Sequence, residues 1–477
     1  MRRIRFSLIC MVSVALSFQA CNEARDLFSA SVMGEIVNPQ TDYITILKNN
    51  VVVDSVPLDG NNQFFYYFDK SRPGFYTFRH NYNTHYETQM FYVEPGDSLQ
   101  FRLNTKDFDN SLMYSGAGAA KNNFLMALFN ENRENGKKLL QYSALDASTF
   151  KAKADSISEN QQARLQNLSD EGKVSNEFYD IAQTLIDFGR YDLFERYLFI
   201  ITRFRPPVKE SLPSDFLAYR KTVNLNHEVL QTYYTYQYFL DDYLRNITIE
   251  DCFSENKPGN CFDLNSKDNL RRRLTISDSL FTLKSLRSLF LTRYGARLIV
   301  QSRAEDEVNS IVYFLKNVEN YNSTELQDIV LLSEVQKRQF IGNVSHLLLA
   351  PYRGDNVEIE TVLTKPTVFF YWSLFYSSHH QRQHQIIAQL QERLPYINFV
   401  GVNIDSDHIE QWEQSLKEFG YNLRTEFQLI CPPEERPFYR NYLNKLVFVK
   451  PSGEIVNNSL SLGDYNLEEE LIRLSKQ

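Results

Sequence analysis

Three imidazoles fall within one short stretch: His379, His380 and His384. On a helix, His380 and His384 stand four apart and share a face. Two imidazoles so placed, joined by a carboxylate, suit zinc or copper. Catalytic zinc takes a third protein ligand, and spacing alone supplies none. His408 is a looser candidate. Histidines exposed on a Gln/Arg-rich helix are the plainer account of the same residues. Ser373, Ser377 and Ser378 lack the Gly-x-Ser-x-Gly elbow of a serine nucleophile. Asp405 and Asp407 follow a core strand and suit either a cation or a helix cap. Glu434-Glu435 and Glu468 with Glu470 read as solvated charge.

The chain has five cysteines and no CxxC. Cys431 follows the apolar run Phe427–Ile430 and precedes Pro432-Pro433. A lone thiol cannot run an intramolecular dithiol cycle, so Cys431 reads as a half-buried structural residue. Cys252 and Cys261 flank a turn-rich loop, Phe253-Ser-Glu-Asn-Lys-Pro-Gly-Asn260. A local disulfide fits there, with two unpaired thiols as the alternative. Cys10 belongs to the N-terminal segment. There Arg2, Arg3 and Arg5 precede a short apolar stretch, Phe6 to Phe18, and then Gln19-Ala20-Cys21. A small residue directly before Cys resembles a bacterial lipobox. The expected outcome is cleavage before Cys21 and acylation of that residue, which anchors the chain to a membrane. Plain signal cleavage, with Cys21 an ordinary residue, is the alternative. Residues 1–20 are then a lipoprotein signal peptide and 21–27 a tether.

The 477 residues suffice for several domains. Hydrophobic residues make up 43% and charged residues 23%, which is ordinary globular usage and excludes long disordered tracts. A net charge of −8 and the absence of a basic stripe argue against a nucleic-acid partner.

The elements that must position these residues divide into three stretches. Residues 28–118 alternate β-branched and aromatic residues with turns such as Asn38-Pro39, Asn49-Asn50 and Asp59-Gly60. Seven strands at that spacing predict a β-sandwich: Ser29–Val37, Tyr43–Lys48, Val51–Pro57, Gln63–Phe68, Gly74–His80, Gln89–Val93 and Ser98–Leu103. Gly116 and Gly118 read as turn and helix-entry positions, since no Lys-Ser/Thr follows to make a phosphate loop. Residues 119–345 change to helical periodicity. The predicted helices include Phe150–Leu168, Val174–Thr202, Ser214–Lys221, His227–Tyr243, Lys267–Ile299, Ala304–Asn317 and Ser323–Arg338. Pro206-Pro207 ends the second of these. Their aromatic stripes read as packing surfaces.

Residues 346–477 predict a buried parallel sheet. The order is Val357–Leu363 as an edge strand, Thr367–Tyr371 as a core strand, a helix over Ser378–Leu394, then strand Asn398–Asn403. Helix Asp407–Phe419, strand Phe427–Ile430 and a helical turn over Pro437–Tyr442 follow. The hairpin Lys445–Val449 and Glu454–Asn457 and a last helix, Leu467–Ser475, complete it. The whole is a multidomain α+β chain: an N-terminal β-sandwich, a helical middle region and a C-terminal α/β domain.

The run Pro366-Thr-Val-Phe-Phe-Tyr-Trp372-Ser-Leu-Phe-Tyr376-Ser-Ser-His379 resembles the active-site segment of thioredoxin-like proteins of the ResA/TlpA type. With it, residues from about 350 to 477 resemble that domain. In the family, two cysteines three apart open the helix after the Trp turn. The first is acidified by the helix N-terminus and attacks; the second resolves the mixed disulfide. Here Trp372 matches the family Trp, while Tyr376 and His379 fall on the two thiols. The family's cis-proline before the hairpin strand falls near Asn444-Lys445, where no proline stands, so a trans peptide is expected. Gly34-Glu-Ile, Pro73-Gly-Phe-Tyr and Val93-Glu-Pro-Gly-Asp97 resemble the small sandwich that precedes such domains in Bacteroidetes lipoproteins.

The expectation is a cell-envelope lipoprotein of the outer membrane, periplasmic or surface-exposed, held by the Cys21 lipid. Its redox-inactive thioredoxin-like domain binds a peptide, another envelope protein or a small ligand. Trp372, Phe375, Tyr376, His379 and Asn444 form the binding face, and aromatic residues there suit an interface. No cofactor is expected. The alternatives are a divergent thiol-disulfide oxidoreductase of the envelope, or a metal-binding protein using His380 and His384.

Overall fold

The computed structural model describes residues 29–476 apart from 69–72, 83–84, 108–110, 255–260, 339, 341, 355–356, 358 and 465. The expected signal peptide, residues 1–20, and Cys21 lie outside the described residues. The chain forms two compact units. One holds residues up to Val223 with Glu228–Asp242; the other holds Asn224–His227 with Tyr243–Gln477.

In the first unit, eight strands make two four-stranded sheets. Their spans are β1 Ala30–Val37, β2 Tyr43–Lys48, β3 Val51–Pro57, β4 Gln63–Phe68, β5 Gly74–Tyr82, β6 His85–Val93, β7 Ser98–Asn104 and β8 Met113–Ala117. The sheet orders are β4-β1-β7-β8 and β3-β2-β5-β6. Alternation does the sorting: β1 and β7 each bury every second residue. Val32, Ile36, Ile46, Phe78, Phe91 and Leu103 are among the residues of the resulting core. Strand β8 is an eighth strand beyond the seven expected, and it pairs antiparallel with β7. Gly118 sits at φ 89° where helix α1, Ala119–Lys137, begins. A Cβ there would stand 2.6 Å from the Asp97 carboxylate, so glycine answers both strain and space.

Helices α2 (Ala147–Asp170) and α3 (Asn176–Phe204) follow. Asp146 and Ser175 cap them by accepting the Thr149 and Phe178 amides. The expected helix over Ser214–Lys221 is instead a set of turns ending in a 3-10 segment at Ala218–Lys221. Its bonds run from Phe216 to Pro213, Ala218 to Asp215 and Arg220 to Leu217, three residues apart throughout. Phe216 and Tyr219 are pinned against Phe194 and Tyr191, and that packing sets the backbone. Helix α4 spans Tyr234–Ser254.

In the second unit, the long helix expected over Lys267–Ile299 is broken into α5 (Lys267–Leu280) and α6 (Lys284–Gln301). Asn226 makes the break affordable. Its Oδ1 accepts the Thr282 and Leu283 amides at 2.7 and 2.9 Å, and its Nδ2 donates to the Leu280 carbonyl at 3.3 Å. Helices α7 (Glu305–Lys316) and α8 (Ser323–Arg338) complete the helical part. Cys252 and Cys261 form a disulfide with Cα atoms 5.7 Å apart.

A six-stranded sheet holds the rest. Its strands are β9 Leu348–Pro351, β10 Thr367–Trp372, β11 Asn398–Asn403, β12 Glu426–Ile430, β13 Lys445–Val449 and β14 Ile455–Ser461, ordered β14-β13-β10-β11-β12-β9. Strand β10 runs parallel to β11, and β11 to β12; β13 and β14 are antiparallel to their neighbours. Helices α9 (Ser377–Arg393), α10 (Ile409–Glu418) and α11 (Leu467–Ser475) accompany this sheet. From β10 onward the order is strand, helix, strand, helix, strand, then the antiparallel hairpin and a last helix, as the sequence pattern predicts. The edge strand expected over Val357–Leu363 is replaced by a single bridge from Val357 to Leu349 and a 3-10 turn at Ile359–Thr361. Strand β9 takes the edge place beside β12 instead. All six residues of β10 are buried, as a central strand covered on both faces must be.

Candidate functional site

The site begins where β10 ends. Trp372 is the last strand residue, and Ser373 to Tyr376 turn the chain into α9. Asp405 holds that turn. Its carboxylate accepts the Leu374 amide at 2.8 Å, the Ser373 hydroxyl at 3.2 Å and the Asn403 side-chain amide at 3.3 Å. Asp405 therefore clamps the turn, and the cation and cap roles considered from sequence give way to that. Burial pushes its carboxyl up, while the Leu374 and Ser373 bonds pull it down. Asp407 lies outside this clamp; its carboxylate meets His408 at 2.9 Å.

Trp372 is a correction to the expected binding face. Its side chain is fully buried and its indole N–H donates to Glu426 at 2.8 Å. An aromatic residue at the end of a central strand packs inward, so it offers no surface. Phe375 is half-buried, with the Arg440 guanidinium 5.4 Å from its ring and His408 on an edge. Tyr376 is 46% exposed and remains available.

The three histidines take three different environments. His379 Nε2 shares a hydrogen bond with Asn444 Oδ1 at 2.8 Å. His379 and Asn444, both expected on the binding face, thus touch each other. No peptide bond among the described residues is cis. His380, read from sequence as exposed, is 1% exposed under Trp372 and bonds the Tyr421 hydroxyl through Nδ1 at 2.7 Å. Desolvation and repulsion from His384 and His379 lower its pKa to about 4, so the ring is neutral. His384 stacks face to face on Tyr421, 3.5 Å between ring centres. Its Nδ1 donates to the His380 carbonyl at 2.7 Å, and its Nε2 lies 3.2 Å from Glu426 Oε1.

Glu426 was missed in the sequence. It opens β12 opposite Gly401 of β11 and is 3% exposed. A Cβ on Gly401 would fall 2.2 Å from its carboxylate, so the glycine makes the room. Burial raises the Glu426 pKa; bonds from His384 and Trp372 oppose this. A glycine across from a strand-opening carboxylate was the signal available. The metal reading meets a different arrangement. The two imidazoles turn to separate partners, Tyr421 and Glu426, and no group of three His, Cys, Asp or Glu able to hold a metal occurs among the described residues.

Cys431 is the only free thiol among the described residues. Burial pushes it up to about 11, the reverse of an activated nucleophile.

Beside His379 a cavity of about 770 Å3 opens between α9, the β13–β14 hairpin and the α5–α6 helices. His379, Gln383, Asn444 and Lys445 are among its walls. Gln383 ties α9 down by donating to the carbonyls of Tyr371 and Leu443. Lys445 was also missed. It is 7% exposed at the start of an otherwise apolar strand, and its ammonium donates to the Val300 carbonyl near the end of α6. Burial, with Lys267 and Arg303 nearby, lowers its pKa to about 7.

No protein-family model and no curated protein matches the chain. Solved structures do. A thiol:disulfide interchange protein from Bacteroides sp. is 17% identical, with 28% of this chain and 90% of that chain covered, at a TM-score of 0.23. The thioredoxin domain of a thiol-disulfide oxidoreductase from Bacteroides vulgatus is 15% identical, covering 28% of this chain and 96% of that one, at 0.23. A thioredoxin-like protein from Bacteroides caccae is 12% identical, covering 60% of this chain and 92% of that one, at 0.29.

Proposed function

We propose that the chain is a cell-envelope lipoprotein whose thioredoxin-like domain has lost its redox duty and works as a binding module. The observation that carries this is what occupies the helix start. Where a dithiol enzyme needs two sulfurs three apart, Tyr376 stands exposed and His379 bonds Asn444. The free thiol among the described residues, Cys431, follows β12, and burial keeps it protonated at neutral pH. The site retains a fold-stabilising frame of Trp372, Glu426 and Asp405 and places a polar cavity next to the altered positions. A cavity with converging polar groups suits ligand capture. Anchoring through Cys21 at the outer membrane belongs to the same proposal.

The test is an insulin-reduction assay joined to trapping of mixed disulfides on the purified chain. The expected result is no turnover and no trapped adduct. Turnover that disappears in Cys431→Ser would establish the oxidoreductase alternative and end the binding reading.

A further inference from the structure

We infer that the cavity beside His379 is a binding site for a small hydroxylated anion, a molecule carrying a phosphate or carboxylate on a polar body. The inference rests on the reading of this face as a binding face and names what it binds.

The first argument is charge. Arg297, Arg382 and Arg440 line the cavity at exposed positions, and Lys445 lies buried in its wall. No carboxylate is among the lining residues. None of these four cations has an ion-pair partner among the described residues, whereas Arg196, Arg220, Arg272, Arg287 and Arg338 each close on an Asp or Glu. Asp464, just past the lining residue Gly463, spends its carboxylate on the Ser461 amide at 2.8 Å. Arg440 feels the Asp405 carboxylate at longer range and lies over the Phe375 ring, and Arg297 lies over Tyr294, yet no carboxylate closes on any of the four, a local reversal in a chain of net charge −8. Charge of one sign in a concave, low-dielectric wall focuses the field and draws the opposite charge. Guanidinium groups suit this because their planar forks match oxyanions.

The second argument is the unmet hydrogen bonding. Gln383 is 3% exposed, and its Oε1 finds no partner while its Nε2 is fully used on two carbonyls. A buried acceptor left open is destabilising, so a donor is wanted there. Nδ1 of His379 is likewise buried without a partner on the same wall. Lys445 has its own structural reason, since it serves a carbonyl in the last turn of α6. One carbonyl uses one of three ammonium hydrogens, and the residue still faces the cavity. An oxyanion would meet the cations, and a hydroxyl would meet Gln383. The volume of about 770 Å3 admits a molecule of sugar or hydroxy-acid size together with several waters.

The experiment uses calorimetric titration of the purified chain with three probes: glycerol 2-phosphate, citrate and glycerol. The first two separate phosphate from carboxylate; glycerol has hydroxyls and no charge. The expected result is saturable binding of at least one anion and none of glycerol. The affinity should fall at least tenfold in the double variant Arg382→Gln/Arg440→Gln. Both residues are exposed, so the fold is expected to survive, and an unchanged circular dichroism spectrum checks this. Arg473→Gln, on an exposed helix face, is the control and should bind like the wild type. Neither anion binding the wild type, or binding unchanged in the double variant, overturns the inference. Such a failure is separable from failure of the binding-module proposal, which only thiol-dependent turnover would produce.

Discussion

His380 carries the clearest pH consequence at the scale of single residues. It is enclosed by Trp372, Phe419, Tyr421 and His384, with no carboxylate among these ring neighbours. Its folded pKa of about 4 lies below the ordinary 6.5, so the unfolded chain takes up a proton first as pH falls. The stabilisation is complete above 6.5 and is lost as pH falls through about 4. The loss should reach about 3 kcal/mol over that window. Urea unfolding of wild type and His380→Phe across it measures the effect. The wild type should lose stability faster with acid than the variant, and equal slopes would refute the assignment. Glu426 acts beside it in the opposite sense. Its raised pKa favours the folded state at low pH, and that contribution fades as pH rises through the folded value.

Among the elements, the contact of β11 with β12 is the most constrained. Gly401 lies opposite Glu426, and the carboxylate occupies the space a Cβ would need. Gly401→Ala must displace either the carboxylate, leaving the Trp372 indole N–H unpaired, or the strand itself. A loss of about 2–4 kcal/mol is expected, visible in denaturant midpoint, because overpacking and an orphaned donor add. Gly401→Ala combined with Glu426→Ala should lose less than the sum of the two single variants, since removing the carboxylate relieves the clash. These two residues also show where the sequence was legible. Strands with plain alternation or a fully apolar run were readable: Tyr43–Lys48, Asn398–Asn403 and Lys445–Val449 have the same bounds in both. Helix α9 was readable as a helix but not by its face. Its inward stripe is His380, Gln383, Ile387 and Leu390, half of it polar, so periodicity of apolar residues pointed nowhere. The break between α5 and α6 depends on Asn226, 56 residues before Thr282, and no local signal carries that. Cys252 and Cys261 were readable because their separation of nine residues is local.

For the molecule as a whole, burying Lys445 in a chain already decided by its apolar cores is a cost without a structural return beyond one helix carbonyl. The groups around it set its protonation: Lys267 and Arg303 lower its pKa, the Tyr442 ring lies 5.6 Å away, and Arg297, Arg382, Arg440 and His379 share its cavity. Its folded pKa of about 7 lies under the ordinary 10.5, so the unfolded chain binds more protons between those values. Stability therefore rises with pH across that window, and the full cost of the charge is present below about 7. Wild type should gain on Lys445→Met by a few kcal/mol from about pH 6 to about pH 10. An anion in the cavity would favour the charged lysine and so bind with proton uptake. Sulfate, which stays dianionic through this range, isolates the effect from titration of the ligand. It should raise the melting temperature of the wild type more at about pH 6 than at about pH 8.5, and the difference should shrink in Lys445→Met and vanish in Lys445→Met/His379→Gln. Equal stabilisation at both values in the wild type would mean that the lysine does not meet the anion, and that the rim arginines act without it.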